Sequence, residues 1–119
     1  MSNEIIDLKD VLVRVQNDKE LLFEILGIFL EDCPTKIQSI KEAVAKKDFN
    51  VIREAAHSMK GASANISAKK INPIFLQIEQ MAKNNSLDGI EELLEKLNGA
   101  FEELKDYSAK IKTNFPKVG

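Results

Sequence analysis

Apolar residues recur along this chain at steps of three and four, the spacing that places them on one face of a helix. No stretch alternates apolar and polar positions with period two for long, which argues against strands. The pattern predicts one short helix followed by four longer amphipathic helices with short connections. Such a set favours an all-α fold, an antiparallel up-and-down four-helix bundle with a short additional N-terminal helix as a lid. We expect one domain over residues 1–119, with its core at about 18–113.

Capping and helix-breaking residues predict where these helices begin and end. Asp18, Asp48 and Ser86 are the predicted N-caps of the second, third and fifth helices, because a short polar side chain accepts hydrogen bonds from the first turn. Pro34 lies inside the second helix and predicts a kink or a short break, at a cost of roughly 3 kcal/mol. Pro73 lies early in the fourth helix, where a missing N–H matters least.

Composition and charge exclude several classes of function. The hydrophobic fraction is 44% and the net charge is −2, so the chain has no basic field to hold nucleic acid or an anionic membrane. No apolar run approaches the ~20 residues of a membrane span, and the N-terminus lacks a signal-peptide pattern. No glycines form a phosphate-binding loop. The single cysteine, Cys33, excludes an internal disulfide framework and a cysteine-cluster metal site. We therefore expect a cytoplasmic monomer without a cofactor of its own.

The one histidine, His57, lies beside the predicted core face of the third helix rather than on it. It follows the inward-facing Ala56 by about 100° of rotation, and Arg53, Lys60 and Gly61 lie along its own stripe. A glycine inside a helix is less stable than alanine by roughly 0.5–1 kcal/mol, and here it leaves bare backbone beside the imidazole. Lys60 adds a positive charge nearby. These features together predict a histidine that accepts a phosphoryl group from another protein.

The chemistry of imidazole suits this role, because the ring is largely unprotonated and nucleophilic at neutral pH. Phosphoryl transfer asks the acceptor for alignment and charge compensation, which a rigid helix and Lys60 supply. If one ring nitrogen attacks, the other should donate a hydrogen bond to a fixed acceptor that selects the tautomer. Glu79 and Gln80 on the fourth helix are candidate acceptors, and Glu79 follows an inward-facing residue just as His57 does.

Residues 56–68, A-H-S-M-K-G-A-S-A-N-I-S-A, resemble the signature of histidine phosphotransfer (HPt) domains, A-H-x-[LM]-K-G-[AS]-[AS]-x-x-[IL]-G-A. Residues 29–34 are similar to the family's F-L-E-D-x-P segment, and residues 71–82 are similar to its next helix. The resemblance therefore covers about residues 18–113. It departs from the family at Ser67, where glycine is usual.

The resemblance implies a four-helix bundle that carries phosphoryl groups between receiver-domain aspartates, with magnesium held by the receiver. It implies that His57 is the phosphorylated residue, that Lys60 stabilises phosphohistidine and that Gly61 clears space for the receiver. Glu79 matches a Glu or Gln that hydrogen-bonds the imidazole, and Lys83 matches a basic position present in some members.

The expected function is therefore that of a phosphorelay intermediate without autonomous kinase activity. It would accept a phosphoryl group on His57 from a receiver-domain aspartate or a kinase and pass it to another receiver-domain aspartate. The expected partners are response-regulator receiver domains and an upstream histidine kinase.

Other interpretations stay open. The chain also fits a helical adaptor in which His57 is incidental, or the phosphoacceptor domain of a larger hybrid or chemotaxis-type histidine kinase. Glu54 and His57 form a Glu-x-x-His unit of the kind found in metal-binding bundles, but such sites need the unit on two helices. Gly61 also fits close packing between helices, and Glu79 with Lys83 also fits a surface ion pair.

Residues 21–30 are apolar at eight of ten positions, which is more than one core stripe needs. One interpretation is that the first helix covers the excess. The other is that part of it remains exposed near His57 as a docking patch for the receiver, since apolar patches ringed by charge mark partner sites.

Overall fold

The computed structural model describes residues 4–117, and all regular structure in that range is helical. Residues 1–3 and 118–119 of the predicted domain lie outside this range. The five helices are α1 (Leu8–Arg14), α2 (Lys19–Lys46), α3 (Phe49–Asn65), α4 (Asn72–Lys83) and α5 (Ile90–Thr113). Contacts join α2 to α3, α3 to α4, α4 to α5 and α5 back to α2, while α1 lies against α2. The predicted helical bundle with a short N-terminal helix is confirmed.

The core lies between the four longer helices, because each of them presents an apolar stripe at helical spacing. The most deeply buried side chains include Leu26 on α2, Met59 on α3, Phe75 on α4 and Leu97 on α5. None of these helices within residues 4–117 is long and apolar enough to cross a membrane. The polar side of each helix faces water, and His57 lies on that side of α3.

Two of the three predicted N-caps are confirmed. Asp18 and Asp48 each accept a hydrogen bond from the backbone N–H three residues further on. Ser86 does not cap α5, because the helix begins only at Ile90, after Gly89. The φ of Gly89 is +81°, in the left-handed region that glycine adopts without steric penalty. Because of this turn, α5 begins later in the chain than the position of Ser86 predicted.

α2 runs for 28 residues without interruption, so a break at Pro34 is absent. Proline removes the N–H that would bond to the carbonyl of Leu30. Because Pro34 lies on the exposed side of α2, water can reach that carbonyl. On the other side of the same turn Cys33 is fully buried, and burial raises the pKa of its thiol to about 12.

α1 is fastened to the turn between α3 and α4. Its Val11 is fully buried against the bundle. The backbone N–H of Asp7 donates to the carbonyl oxygen of Ser67 at 2.9 Å, and the Ser67 hydroxyl donates to Asp10 Oδ2 at 2.5 Å. The φ of Ser67 is +53°, in the left-handed region that favours glycine. This is the position at which the family usually has glycine.

The chain beyond α5 turns back to the beginning of α2. The rings of Phe115 and Phe23 meet edge to face with their centroids 6.0 Å apart. Lys19 Nζ lies 4.5 Å from the centroid of the Phe115 ring, a cation–π contact. α5 ends at Thr113, just before this returning segment.

Candidate functional site

His57 and Glu79 meet across the groove between α3 and α4. His57 Nδ1 lies 2.6 Å from Glu79 Oε2. The His57 side chain is 68% exposed, whereas the Glu79 side chain is 3% exposed. The structure thus brings together the two residues that sequence reasoning paired, with an open imidazole held from below by a buried carboxylate.

The charge state of Glu79 determines the tautomer of His57. The Lys60 ammonium donates to Glu79 Oε1 at 2.7 Å and holds the pKa of that carboxyl below its usual range, against the opposing effect of burial. The hydrogen bond with His57 lowers the pKa further. An ionised carboxylate only accepts hydrogen bonds, so Nδ1 carries the proton that lies between the two residues. The lone pair of the neutral ring is then on Nε2, on the opposite edge of the ring.

Two lysines also converge on Glu79. Lys60 is 30% exposed and makes the short contact. Lys83 is 56% exposed and its Nζ lies 3.9 Å from Glu79 Oε2. A long contact from an exposed side chain contributes little stability. The interpretation of Glu79 and Lys83 as a mere surface pair is nevertheless wrong, because Glu79 is buried beneath His57.

Gly61 lies on the exposed surface of α3, next to Lys60 and one turn beyond His57. A Cβ added to Gly61 would meet no atom within 4 Å. Close packing between helices therefore does not explain this glycine. The surface beside the imidazole is open, as the clearance interpretation requires.

Asn72, at the first turn of α4, ties that helix to α3 near the site. Its Nδ2 donates to the Lys60 carbonyl oxygen at 2.8 Å and to Ser63 Oγ at 3.0 Å. Ser63 Oγ in turn donates to the same carbonyl at 3.0 Å. Sequence reasoning missed Asn72, although the hydroxyl of Ser63 on a predicted core face was a signal, because a buried polar group needs a partner.

A cavity of about 320 Å³ opens between α3 and α4 beside the imidazole. Its lining residues are Arg53, Glu54, His57, Glu79 and Lys83. Glu54 therefore lies with His57 on the solvated side of α3 and not inside the bundle. Within residues 4–117, no three side chains of His, Cys, Asp or Glu converge as metal ligands.

The apolar segment 21–30 divides between core and surface. Leu22, Leu26 and Phe29 are buried in the core, whereas Ile28 is 60% exposed. Ile28 also lines a cavity of about 210 Å³ between α2 and α3, together with Ile25, Phe29, Asp32, Ala62, Asn65 and Ile66. Part of the segment is thus an exposed apolar groove on the α3 side of α2.

The fold and the site define a helical bundle that presents one oriented imidazole on an open helix face. A family model described as "Hpt domain" matches residues 24–107. The chain belongs to the Hpt domain family, and the predicted resemblance is confirmed. Domains of this family act in phosphorelay phosphotransfer with two-component kinases and receiver domains, and are carriers rather than autonomous kinases.

This chain is similar to phosphotransfer proteins of a plant and of a bacterium. Histidine-containing phosphotransfer protein 2 of Arabidopsis thaliana is 23% identical over 99 residues. That match covers 79% of this chain and 64% of the relative, so it leaves more than a third of the relative unmatched. The crystal structure of histidine-containing phosphotransfer protein B (HptB) from Pseudomonas aeruginosa PAO1 superimposes with a TM-score of 0.85 at 22% identity. The superposition covers 97% of this chain and 100% of that chain, and it shows a shared fold.

Proposed function

We propose that this chain is a phosphorelay intermediate, a cytoplasmic monomer that carries a phosphoryl group on His57. It receives the group from a receiver-domain aspartate or a histidine kinase and passes it to the aspartate of another receiver domain. The observation that supports this most directly is the His57–Glu79 pair, in which a buried carboxylate orients an exposed nucleophile. Membership of the Hpt domain family supports the same role.

The proposed transfer is a displacement at phosphorus. The Nε2 lone pair of His57 attacks the phosphorus of an aspartyl phosphate, and the bond from phosphorus to the aspartyl oxygen breaks, so the aspartate leaves as a carboxylate. The ring becomes an imidazolium that bears the phosphoryl group on Nε2. Its Nδ1 proton stays hydrogen-bonded to Glu79, whose negative charge offsets the new positive charge on the ring. The reverse step delivers the group to the next receiver domain.

Lys60 has two parts in this proposal. One of its N–H groups is engaged by Glu79 at 2.7 Å, which keeps the carboxylate ionised and in place. An ammonium has three donors, so Lys60 also retains charge and hydrogen-bonding capacity toward a phosphoryl group on His57. Lys83 acts as an auxiliary charge near the same carboxylate. We expect the magnesium ion of the reaction to sit on the receiver domain.

The receiver domain is proposed to dock over the exposed face of α3 and the apolar groove beside it. Gly61 leaves open space on this face. The groove that Ile25 and Ile28 line on α2 reaches Ala62 and Asn65 of α3, the turn next to Gly61. Exposed apolar surface at a mostly polar helical bundle is typical of a partner site.

A phosphorylated receiver domain provides the direct test. Wild-type protein is expected to acquire acid-labile phosphate, and His57→Gln is expected to acquire none while its helical circular dichroism signal stays unchanged. If the wild-type chain takes up no phosphate from a receiver that labels another Hpt domain, the proposal is wrong and the result favours the adaptor interpretation.

The orienting role of Glu79 predicts a change of tautomer when the carboxylate is removed. In Glu79→Ala the Nδ1–H loses its acceptor, so we expect the ring proton to be shared between both nitrogens and phosphoryl uptake to slow. The loss of one hydrogen bond to a charged group, about 1.5 kcal/mol, corresponds to roughly a tenfold slower uptake. ¹⁵N chemical shifts of the ring report the tautomer. Glu79→Gln keeps an oxygen acceptor and is the matched control; an unchanged tautomer in Glu79→Ala would contradict the assignment.

A further inference from the structure

We infer that the cavity between α3 and α4 seats the transferred phosphoryl oxygens, with Arg53 and Lys83 as its two cationic walls. The inference rests on the proposed function, because only a phosphorylated His57 would place an anion there. Sequence reasoning named Arg53 as a neighbour of His57 and assigned it no role. Its place in the cavity lining gives it one.

The direction of side chains on α3 brings the imidazole over Arg53. In an α-helix the Cα–Cβ bonds tilt toward the N-terminus, so a side chain covers the turn that precedes it. The preceding turn below His57 contains Arg53, four residues earlier, and Glu54, three residues earlier. Both line the cavity with His57, whereas Lys60, on the following turn, is not among the lining residues.

The pairing of α3 with α4 brings Lys83 to the same place from the opposite wall. His57 contacts Glu79, and Ser63, later in α3, contacts Asn72, earlier in α4, so the two helices run antiparallel. The turn of α3 that precedes His57 therefore lies opposite the turn of α4 that follows Glu79. By this register Arg53 faces Lys83, one turn away from the His57–Glu79 contact.

The balance of charge leaves these two cations available to a ligand. Glu79 is neutralised chiefly by its 2.7 Å contact with Lys60, because the 3.9 Å approach of Lys83 to the same carboxylate is too long for a hydrogen bond. Arg53 and Lys83 then outweigh Glu54, the other carboxylate in the lining. A phosphoryl group brings roughly 1.5 to 2 negative charges and three acceptor oxygens. The planar guanidinium of Arg53 can donate two parallel hydrogen bonds to two of these oxygens, and the Lys83 ammonium can donate to the third.

Potassium phosphoramidate can test the cavity without a receiver domain. The Nε2 lone pair attacks phosphorus, the bond between phosphorus and the amide nitrogen breaks, and that nitrogen takes a proton from water to leave as ammonia. The rate of labelling and the lifetime of the product are followed by ³¹P NMR and intact mass. His57→Gln tests the proposed function separately, because it should remain unlabelled whether or not Arg53 contributes to binding the phosphoryl group.

The variants are chosen to separate charge from structure. Arg53→Gln is expected to slow labelling about two- to fivefold, the range for a solvent-open charge contact. The difference should shrink as salt is raised to ~0.5 M, where exposed charges are screened. Arg53→Lys should recover most of the rate, and Glu54→Gln should increase it, because it removes a negative charge from the lining. Lys105→Gln, on α5 away from the cavity, matches the loss of one positive charge and should leave the rate unchanged.

Each outcome decides one of the two proposals. Suppose that the wild type is labelled, that His57→Gln is not, and that Arg53→Gln is labelled at the wild-type rate at low salt. This result would overturn the assignment of the cavity to the phosphoryl oxygens, and the phosphorelay function would stand. The assignment of the cavity is also overturned if Arg53→Gln and Arg53→Lys are labelled equally slowly and salt does not change the difference from the wild type, because the effect of the substitution is then structural. If the wild type is labelled neither by phosphoramidate nor by a phosphorylated receiver, both proposals fall.

Discussion

Glu79 is the only carboxylate among the buried side chains of residues 4–117, and it lies directly beneath the most exposed part of the site. A buried charge is strongly unfavourable unless it is paired. Here Lys60 and His57 donate to its two oxygens, so each partner is held by the same carboxylate. Orientation of an exposed surface ring thus depends on one buried anion.

This arrangement predicts how stability depends on pH. The Lys60 ammonium, and after it the hydrogen bond from His57, lowers the pKa of Glu79 below the ordinary value of 4.5. The stability that ionised Glu79 contributes is therefore fully present above pH 4.5, and it is lost as pH falls through the lower pKa of the folded state. The free energy of unfolding of the wild type relative to Glu79→Gln should fall as the pH is lowered from about 4.5 to about 3 in urea titrations. A difference that is constant over this range would contradict the assigned partners.

Sequence reasoning found most members of this site but missed Asn72 and several of the contacts. The pairing of His57 with Glu79 could be predicted because each residue follows an inward-facing position on a neighbouring helix. The direction of Lys60 could not, since a flexible four-carbon side chain can reach either water or the groove. The place of Arg53 opposite Lys83 could not be predicted either, because it depends on the register between α3 and α4.

Gly61 and Gly99 present the same backbone feature on two different helices. Each lies inside a long helix and is exposed, and a Cβ added to either would meet nothing within 4 Å. Neither glycine is therefore required for packing. The difference between them is their surroundings, because Gly61 adjoins the His57 face of α3 and Gly99 lies on α5.

We predict that stability and transfer separate at Gly61. Gly61→Ala and Gly99→Ala should each raise the free energy of unfolding by about 0.5–1 kcal/mol, since alanine is the better helix former. Gly61→Gln should slow phosphoryl transfer from a receiver domain several-fold through a clash with the docked partner. Gly99→Gln is its matched control and should leave the transfer rate unchanged. Equal transfer rates in the two glutamine variants would contradict the clearance role, and thermal unfolding measures the stability effect.

At the level of helices, periodicity predicted more than local breakers did. The apolar spacing gave the number and order of the helices, because core packing requires that spacing whatever the connections do. The breakers were less decisive. Pro34 does not end α2, since its side of the helix faces water, and Gly89, with its left-handed φ, overrides Ser86 as the start of α5.

The segments next to both chain ends are fastened to the bundle by particular contacts. α1 reaches the α3–α4 turn through Asp7, Asp10 and Ser67. Phe115, beyond α5, covers Phe23 at the beginning of α2. The departure of Ser67 from the family glycine has a structural consequence, because its hydroxyl supplies a hydrogen bond to α1 that glycine lacks.

Two opposing effects at Ser67 predict an order of stability. Ser67→Ala removes the hydrogen bond to Asp10 but keeps a side chain in the left-handed conformation, so the free energy of unfolding should fall by about 1 kcal/mol. Ser67→Gly loses the same hydrogen bond but relieves a conformation that is unfavourable by roughly 1–2 kcal/mol for other residues. We therefore expect Ser67→Gly to lie close to the wild type and above Ser67→Ala in urea unfolding followed by circular dichroism.

The same pair of variants tests whether the fastening of α1 affects the distant site. α3 ends at Asn65, eight residues and about 12 Å beyond His57 at 1.5 Å per residue, and Ser67 lies beyond that end. Neither Ser67 nor Asp10 contributes to the lining of the cavity beside the imidazole. Labelling of His57 should therefore proceed at the wild-type rate in both variants at temperatures where they are folded. A slower rate in both would show that α1 is coupled to the site, and equal destabilisation of both variants would refute the conformational explanation for glycine at this position.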